Sequence, residues 1–119
     1  MHHILVIDDE TDNLTMFRYV LEAHHFMVDT ADNVKDAIAI AFESTPDLFL
    51  VDLHIPGIDG FDAILYIRTQ PNLQHCPIVV VTSDDSAEAY EKAYAAGCNG
   101  FLVKPVQPPD LIESLQKLL

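Results

Sequence analysis

Two runs in this chain, Leu48-Phe49-Leu50-Val51 and Ile78-Val79-Val80-Val81, are apolar at every position. A strand with one wet face alternates apolar and polar residues, so unbroken runs of this kind need cover on both faces. Pro46-Asp47 stands before the first run and Pro77 before the second, so the chain breaks at each entrance. Strands covered on both faces belong almost only to parallel sheets with helices packed on each side.

The rest of the chain supplies those helices. Ile4-Leu5-Val6-Ile7 reads as a first strand, followed by a helix over 11–24 with Leu14, Phe17, Val20 and Leu21 inward and Arg18 and Glu22 outward. Phe26-Met27-Val28 is a weaker second strand, with Asp29 and Asp32 marking its exit. Asn33 can cap a helix running to Phe42 whose inner face is Val34, Ala37, Ile38 and Ala41. After Pro56-Gly57-Ile58-Asp59-Gly60 a helix carries Phe61, Ile64, Leu65 and Ile67. An alanine-rich helix over 85–96 stops at Gly97, and Phe101-Leu102-Val103 forms the last strand. Pro108 and Pro109 suit the start of a final helix containing Leu111, Ile112, Leu115 and Leu118.

Five β-α units with no low-complexity linker and no tandem repeat make residues 1–119 one domain. Right-handed crossovers leave few topologies, and the expected fold is α/β: a doubly wound, five-stranded parallel sheet of flavodoxin-like order 2-1-3-4-5.

Composition narrows the partners. Nineteen acidic residues against six basic ones give a formal charge of −13, which argues against direct binding to nucleic acid or an anionic membrane. It favours metal cations or a basic protein surface. No apolar run approaches the roughly 20 residues that span a bilayer. The opening Ile4-Leu5-Val6-Ile7 meets Asp8-Asp9 at once, too soon for a secretion signal, so the expected location is the cytoplasm. Cys76 and Cys98 have no metal-binding spacing and are expected to be free thiols.

The polar residues collect at strand ends. Asp8 and Asp9 follow strand one, Asp52 strand three, Thr82 and Ser83 strand four, and Lys104 strand five. In a parallel sheet all of these lie at one edge, where open α/β sheets place their sites. Order 2-1-3-4-5 makes strands one and three neighbours and brings the three aspartates together. At about 5 Å and an effective dielectric near 20, each ionised pair costs roughly 3 kcal/mol, so a cation or a raised pKa must offset the repulsion. Hard oxygen donors without a His or Cys cluster point to Mg²⁺ or Mn²⁺ rather than zinc.

Val6-Ile7-Asp8-Asp9-Glu10, Val51-Asp52-Leu53-His54-Ile55-Pro56-Gly57-Ile58-Asp59-Gly60, Val81-Thr82-Ser83 and Lys104-Pro105 together resemble the receiver domains of two-component response regulators, chemotaxis regulators among them. The resemblance spans essentially the whole chain. It implies that Asp52 accepts a phosphoryl group from a phosphohistidine on a sensor histidine kinase or histidine phosphotransfer protein. It also implies Mg²⁺ held by Asp8, Asp9, Asp52 and the backbone carbonyl of His54. Thr82 and Lys104 would bind phosphoryl oxygens, Phe101 would reorient with Thr82 as the switch, and the Lys104–Pro105 bond would be cis. A downstream protein target or output domain would read the face of the fourth helix, fifth strand and fifth helix, which could also form a homodimer. Tyr90 and Tyr94, one helical turn apart, enrich that face in aromatic surface.

Some positions depart from the commonest pattern. Ile55 stands where many members have Met, a volume-conserving change. Ser83 replaces a small apolar residue, and Phe101 lacks the hydroxyl of a tyrosine, so switching must rely on packing. His54, Ser83 and Asp84 flank the phosphoacceptor position, where the lifetime of the phosphoryl group is tuned. The alternative is a pseudo-receiver that binds partners without being phosphorylated. A haloacid-dehalogenase-like phosphatase would need a second Asp where His54 stands, and a flavodoxin would need a phosphate loop where Asp8-Asp9-Glu10 stands. A stand-alone regulator and a receiver excised from a larger protein remain equally open.

Overall fold

Strand and helix alternate strictly along residues 1–119, all of which the computed structural model describes. The order is β1 (His3–Ile7), α1 (Thr11–Ala23), β2 (Met27–Ala31), α2 (Val34–Glu43), β3 (Leu48–Asp52), α3 (Gly60–Thr69), β4 (Ile78–Thr82), α4 (Ala87–Ala96), β5 (Gly100–Val103) and α5 (Pro108–Gln116). The strands form one parallel sheet in the order β2-β1-β3-β4-β5, as the sequence pattern implied.

The unbroken apolar runs split between two cores with the period of a strand. Leu5, Ile7, Phe49, Val51, Ile78 and Val80 point to one face, where α2, α3 and α4 pack. Ile4, Val6, Leu48, Leu50, Val79 and Val81 point to the other, against Phe17 and Leu21 of α1 and Leu111, Ile112 and Leu115 of α5. Full burial of a large aliphatic side chain stabilises by roughly 1.5–3 kcal/mol, so β3 and β4 anchor both layers.

Local chemistry sets the helix ends. Asn33 Oδ1 accepts the Asp36 N–H at 2.8 Å, Asp59 Oδ1 accepts the Phe61 N–H at 2.8 Å, and Ser86 Oγ accepts the Ala89 N–H at 3.1 Å. Gly97 closes α4 in the left-handed region at φ +119°, its N–H donating to the carbonyls of Ala93 and Tyr94. Arg68, on α3, donates to the carbonyls of Gly97, Leu73 and Cys76 and to Asn99 Oδ1. One guanidinium thereby ties the α3–β4 and α4–β5 connections together at the end of the sheet opposite the acidic edge.

Several boundaries differ from the sequence pattern. The second strand is Met27–Ala31, and Asp29 lies inside it opposite Leu5 rather than at its exit. Backbone pairing with β1, residue for residue, overrides the weak strand preference of Asp29. The fourth helix starts at Ala87, not Asp85, because Ser86 is its cap. His3, just before the apolar run Ile4–Ile7, is the first residue of β1; it is 3% exposed, and its Nε2 lies 2.7 Å from Asp29 Oδ2. Cys76 and Cys98 are free thiols, and burial pushes each up to about 11. No helix is long and apolar enough to cross a membrane.

Candidate functional site

The carboxyl ends of the parallel strands meet at one edge. Asp52 is the last residue of β3 and lies opposite Val81 of β4. Asp8 follows β1 and continues its ladder, its N–H donating to the Ala31 carbonyl at 3.1 Å. Thr82 ends β4 opposite Val103, and the Lys104 N–H just beyond donates to the Thr82 carbonyl at 2.8 Å. The Lys104–Pro105 peptide bond is cis, as expected.

Asp8, Asp9 and Asp52 each offer one carboxylate oxygen to a common spot, all within 4.8 Å of one another. Asp8 is 1% exposed and Asp52 4%, whereas Asp9 faces solvent. Buried carboxylates need donors. Asp8 Oδ1 accepts the Glu10 N–H at 3.0 Å, and Asp8 Oδ2 accepts from Asn13 Nδ2 at 3.2 Å and from Lys104 Nζ at 3.3 Å. Asp52 Oδ1 accepts the His54 N–H at 3.0 Å, and Asp52 Oδ2 accepts from Lys104 Nζ at 3.1 Å.

Burial raises the Asp52 carboxyl above its ordinary range; the His54 N–H and Lys104 pull it partly back, and the Asp8 charge pushes it up again. Burial works against the Lys104 ammonium, but Asp52 and Asp8 outweigh it, and Lys104 is held above its ordinary value. One internal cation therefore serves two buried anions while Asp9 remains unneutralised. An all-carboxylate, partly open corner of this kind suits a hard divalent cation.

Of the other expected residues, Thr82 ends β4 with Ser83 and Asp84 just beyond it, His54 lies two residues past Asp52, and Phe101 lies inside β5. Thr82 is fully buried, and its Oγ1 accepts the Asp84 N–H at 3.1 Å, which leaves the hydroxyl proton available. The side chains of His54, Ser83 and Asp84 are exposed. Asp84 Oδ1 accepts the Ser86 N–H at 3.0 Å, and its carboxyl is lowered by the bonds from Ser86, with a smaller contribution from His54. Phe101 is half-buried, with its ring edge-on to Tyr90 at 5.4 Å; Tyr90 in turn lies 4.7 Å from Tyr94.

Asn13 was not legible as part of this corner. The one available signal is its place in the first turn of a helix that opens three residues after Asp8. The largest surface groove, about 700 Å³ between α2 and the β3–α3 connection, contains none of the three aspartates. A cation held by carboxylates at a sheet edge requires no such cavity.

A family model described as the response regulator receiver domain matches residues 4–116. The chain belongs to the receiver family. Among solved structures, this receiver resembles the chemotaxis protein CheY4 of Vibrio cholerae with a TM-score of 0.95 at 30% identity, covering 100% of this chain and 99% of that one. It is also similar to the receiver domain of the sensor histidine kinase PA1611 of Pseudomonas aeruginosa, at 28% identity and a TM-score of 0.90, covering 98% and 96% of the two chains. That structure has a magnesium ion coordinated in its active-site cleft. The polar-differentiation response regulator DivK of Brucella anthropi is 27% identical over 116 residues, 98% of this chain and 94% of that protein.

The receiver is a signalling domain and not an enzyme in the conventional sense. Its cluster of Asp8, Asp9 and Asp52 is positioned for aspartyl-phosphate and divalent-cation chemistry, and the geometry fits Mg²⁺ or Mn²⁺. At the level of the family, the partners are the histidine kinases and phosphotransfer proteins of two-component systems.

Proposed function

We propose that Asp52 of this receiver accepts a phosphoryl group from a phosphohistidine on a sensor kinase or histidine phosphotransfer protein, and that Asp8, Asp9, Asp52 and the His54 carbonyl hold Mg²⁺. On this reading the protein works in the cytoplasm. The observation that carries the proposal is the convergence of three carboxylates and one ammonium from three strand ends on one corner.

A carboxylate oxygen of Asp52 attacks phosphorus in line with the bond to the donor imidazole nitrogen. A P–O bond forms, the P–N bond breaks, and the leaving imidazole keeps the electron pair and takes a proton from solvent. Bound in the acidic corner, Mg²⁺ supplies charge neutralisation for the phosphoryl oxygens. Lys104, already 3.1 Å from Asp52 Oδ2, redirects its ammonium hydrogen bond to a phosphoryl oxygen as that carboxylate becomes an acyl phosphate. The buried Thr82 hydroxyl donates its free proton to another. His54, Ser83 and Asp84, exposed beside Asp52 and Thr82, tune the approach of the water that hydrolyses the product.

Movement of Thr82 toward the phosphoryl group frees space near Phe101, whose packing on Tyr90 relays the change to the face of α4, β5 and α5. Tyr90 and Tyr94 are 51% and 39% exposed, enough to present aromatic surface to a downstream target, an output domain or a second copy.

The test is incubation with acetyl phosphate and Mg²⁺ followed by intact-mass measurement. The expected result is a gain of one phosphoryl group, absent in Asp52→Asn. No gain in the wild-type protein would leave a pseudo-receiver, an interaction module on the same fold.

A further inference from the structure

Asp8 is held from both ends, and its two oxygens are held differently. Oδ1 accepts one backbone N–H, from Glu10 at 3.0 Å. Oδ2 accepts two side-chain donors, Asn13 Nδ2 at 3.2 Å and Lys104 Nζ at 3.3 Å. With about two in-plane lone pairs per carboxylate oxygen, Oδ2 is fully used and Oδ1 keeps one free. The two side-chain donors pull from different parts of the fold, the first turn of α1 and the end of β5.

From this geometry we infer that Asn13 is a positioning residue for the divalent cation: its amide fixes the plane of the Asp8 carboxylate against the pull of Lys104. The inference rests on the reading of Asp8, Asp9 and Asp52 as cation ligands. A divalent ion in that corner repels the Lys104 ammonium from Asp8, and Asp8 then loses one of its two side-chain donors. Asn13 carries no charge, so it stays. An arginine or lysine at this position would compete with the ion, and a carboxylate would give no donor at all. A neutral amide orients the ligand without entering the charge balance. Without it, the carboxylate is free to rotate toward Lys104, and the ion must turn it back at a cost in affinity.

The test uses Asn13→Ala and Asn13→Leu, the second keeping the side-chain volume without its donors. Mg²⁺ is titrated into each protein and followed by amide NMR shifts around Asp8, Asp9 and Asp52, and the unfolding temperature in EDTA establishes that each variant is folded. The expected result is a Kd for Mg²⁺ raised about tenfold in both variants. The Mg²⁺ concentration giving half-maximal labelling by acetyl phosphate shifts by the same factor, and the labelling rate at saturating Mg²⁺ stays at the wild-type value. A Kd unchanged in both folded variants, or a fall in saturating rate with no change in Kd, overturns the inference while leaving the cation site standing. Absence of Mg²⁺-dependent shifts in the wild-type protein overturns the inference and the reading beneath it together.

Discussion

The Lys104 ammonium lies 3.1 Å from Asp52 Oδ2, an ion pair that closes the end of β5 onto the end of β3 across 52 positions of sequence. The same nitrogen reaches Asp8 Oδ2 at 3.3 Å, so Lys104 stands where a divalent cation draws its negative charge. On the proposed reading, lysine and metal compete in the resting protein and cooperate once a phosphoryl group arrives.

That competition gives Lys104→Ala two opposite effects. Removal of the internal cation strengthens Mg²⁺ binding, by roughly 3- to 10-fold for a charge a few ångströms away in a half-open site. Phosphorylation at saturating Mg²⁺ slows by about 100-fold, because the phosphoryl oxygens lose a charged donor. Calorimetric titration and the rate of labelling by acetyl phosphate measure the two separately.

Asp52 makes stability depend on pH. Its folded pKa is raised above 3.8, chiefly by burial. Just above that value the folded protein keeps a proton that the unfolded chain releases, so the contribution of Asp52 to stability falls as pH rises through the raised pKa. Without divalent cations, thermal melts from acid to neutral pH should therefore show a loss of stability in the wild-type protein that is missing in Asp52→Asn. At neutral pH the variant should be the more stable, because burial, the largest cause of the raised Asp52 pKa, disfavours the ionised carboxylate. Added Mg²⁺ should stabilise the wild-type protein and leave the variant little changed.

Arg68 separates fold from function. Its five hydrogen bonds fasten the ends of α3 and α4 and the approach to β4, far from the acidic edge. Arg68→Met keeps the stem but leaves the carbonyls of Gly97, Leu73 and Cys76 without this donor. Urea unfolding should show a loss of about 3 kcal/mol, with Mg²⁺ affinity unchanged.

Thr82→Ala should uncouple the site from its aromatic face. The chain has no tryptophan and four tyrosines, of which Tyr90 packs against Phe101 and Tyr94 against Tyr90. Tyr90 and Tyr94 ring resonances should shift when the wild-type protein is phosphorylated. In Thr82→Ala the acyl phosphate should still form while those resonances stay in place.

Residues at strand ends were legible because a parallel sheet converts position along a strand into position in space. Asp8, Asp52, Thr82 and Lys104 each follow an apolar run, and knowing the strand order was enough to gather them. Residues whose role depends on contact between elements were not. Asn13 looks like any polar residue in a helix opening, and only the turn of α1 back over β1 sets it 3.2 Å from Asp8. His3 looks like a surface histidine before a strand, and only the β1–β2 register sets Asp29 against its ring. Asp29 misled for the converse reason: its preference for turns is real, but ladder hydrogen bonds to an established neighbour overcome it.

Borohydride reduction of the labelled protein, followed by peptide mapping, locates an acyl phosphate by converting the modified aspartate to homoserine. After acetyl phosphate treatment with Mg²⁺, homoserine should appear at position 52 and nowhere else, and EDTA should abolish it. Homoserine at another aspartate, or labelling of Asp52 that persists undiminished in EDTA, would contradict a receiver whose phosphoacceptor depends on the cation corner of Asp8, Asp9 and Asp52.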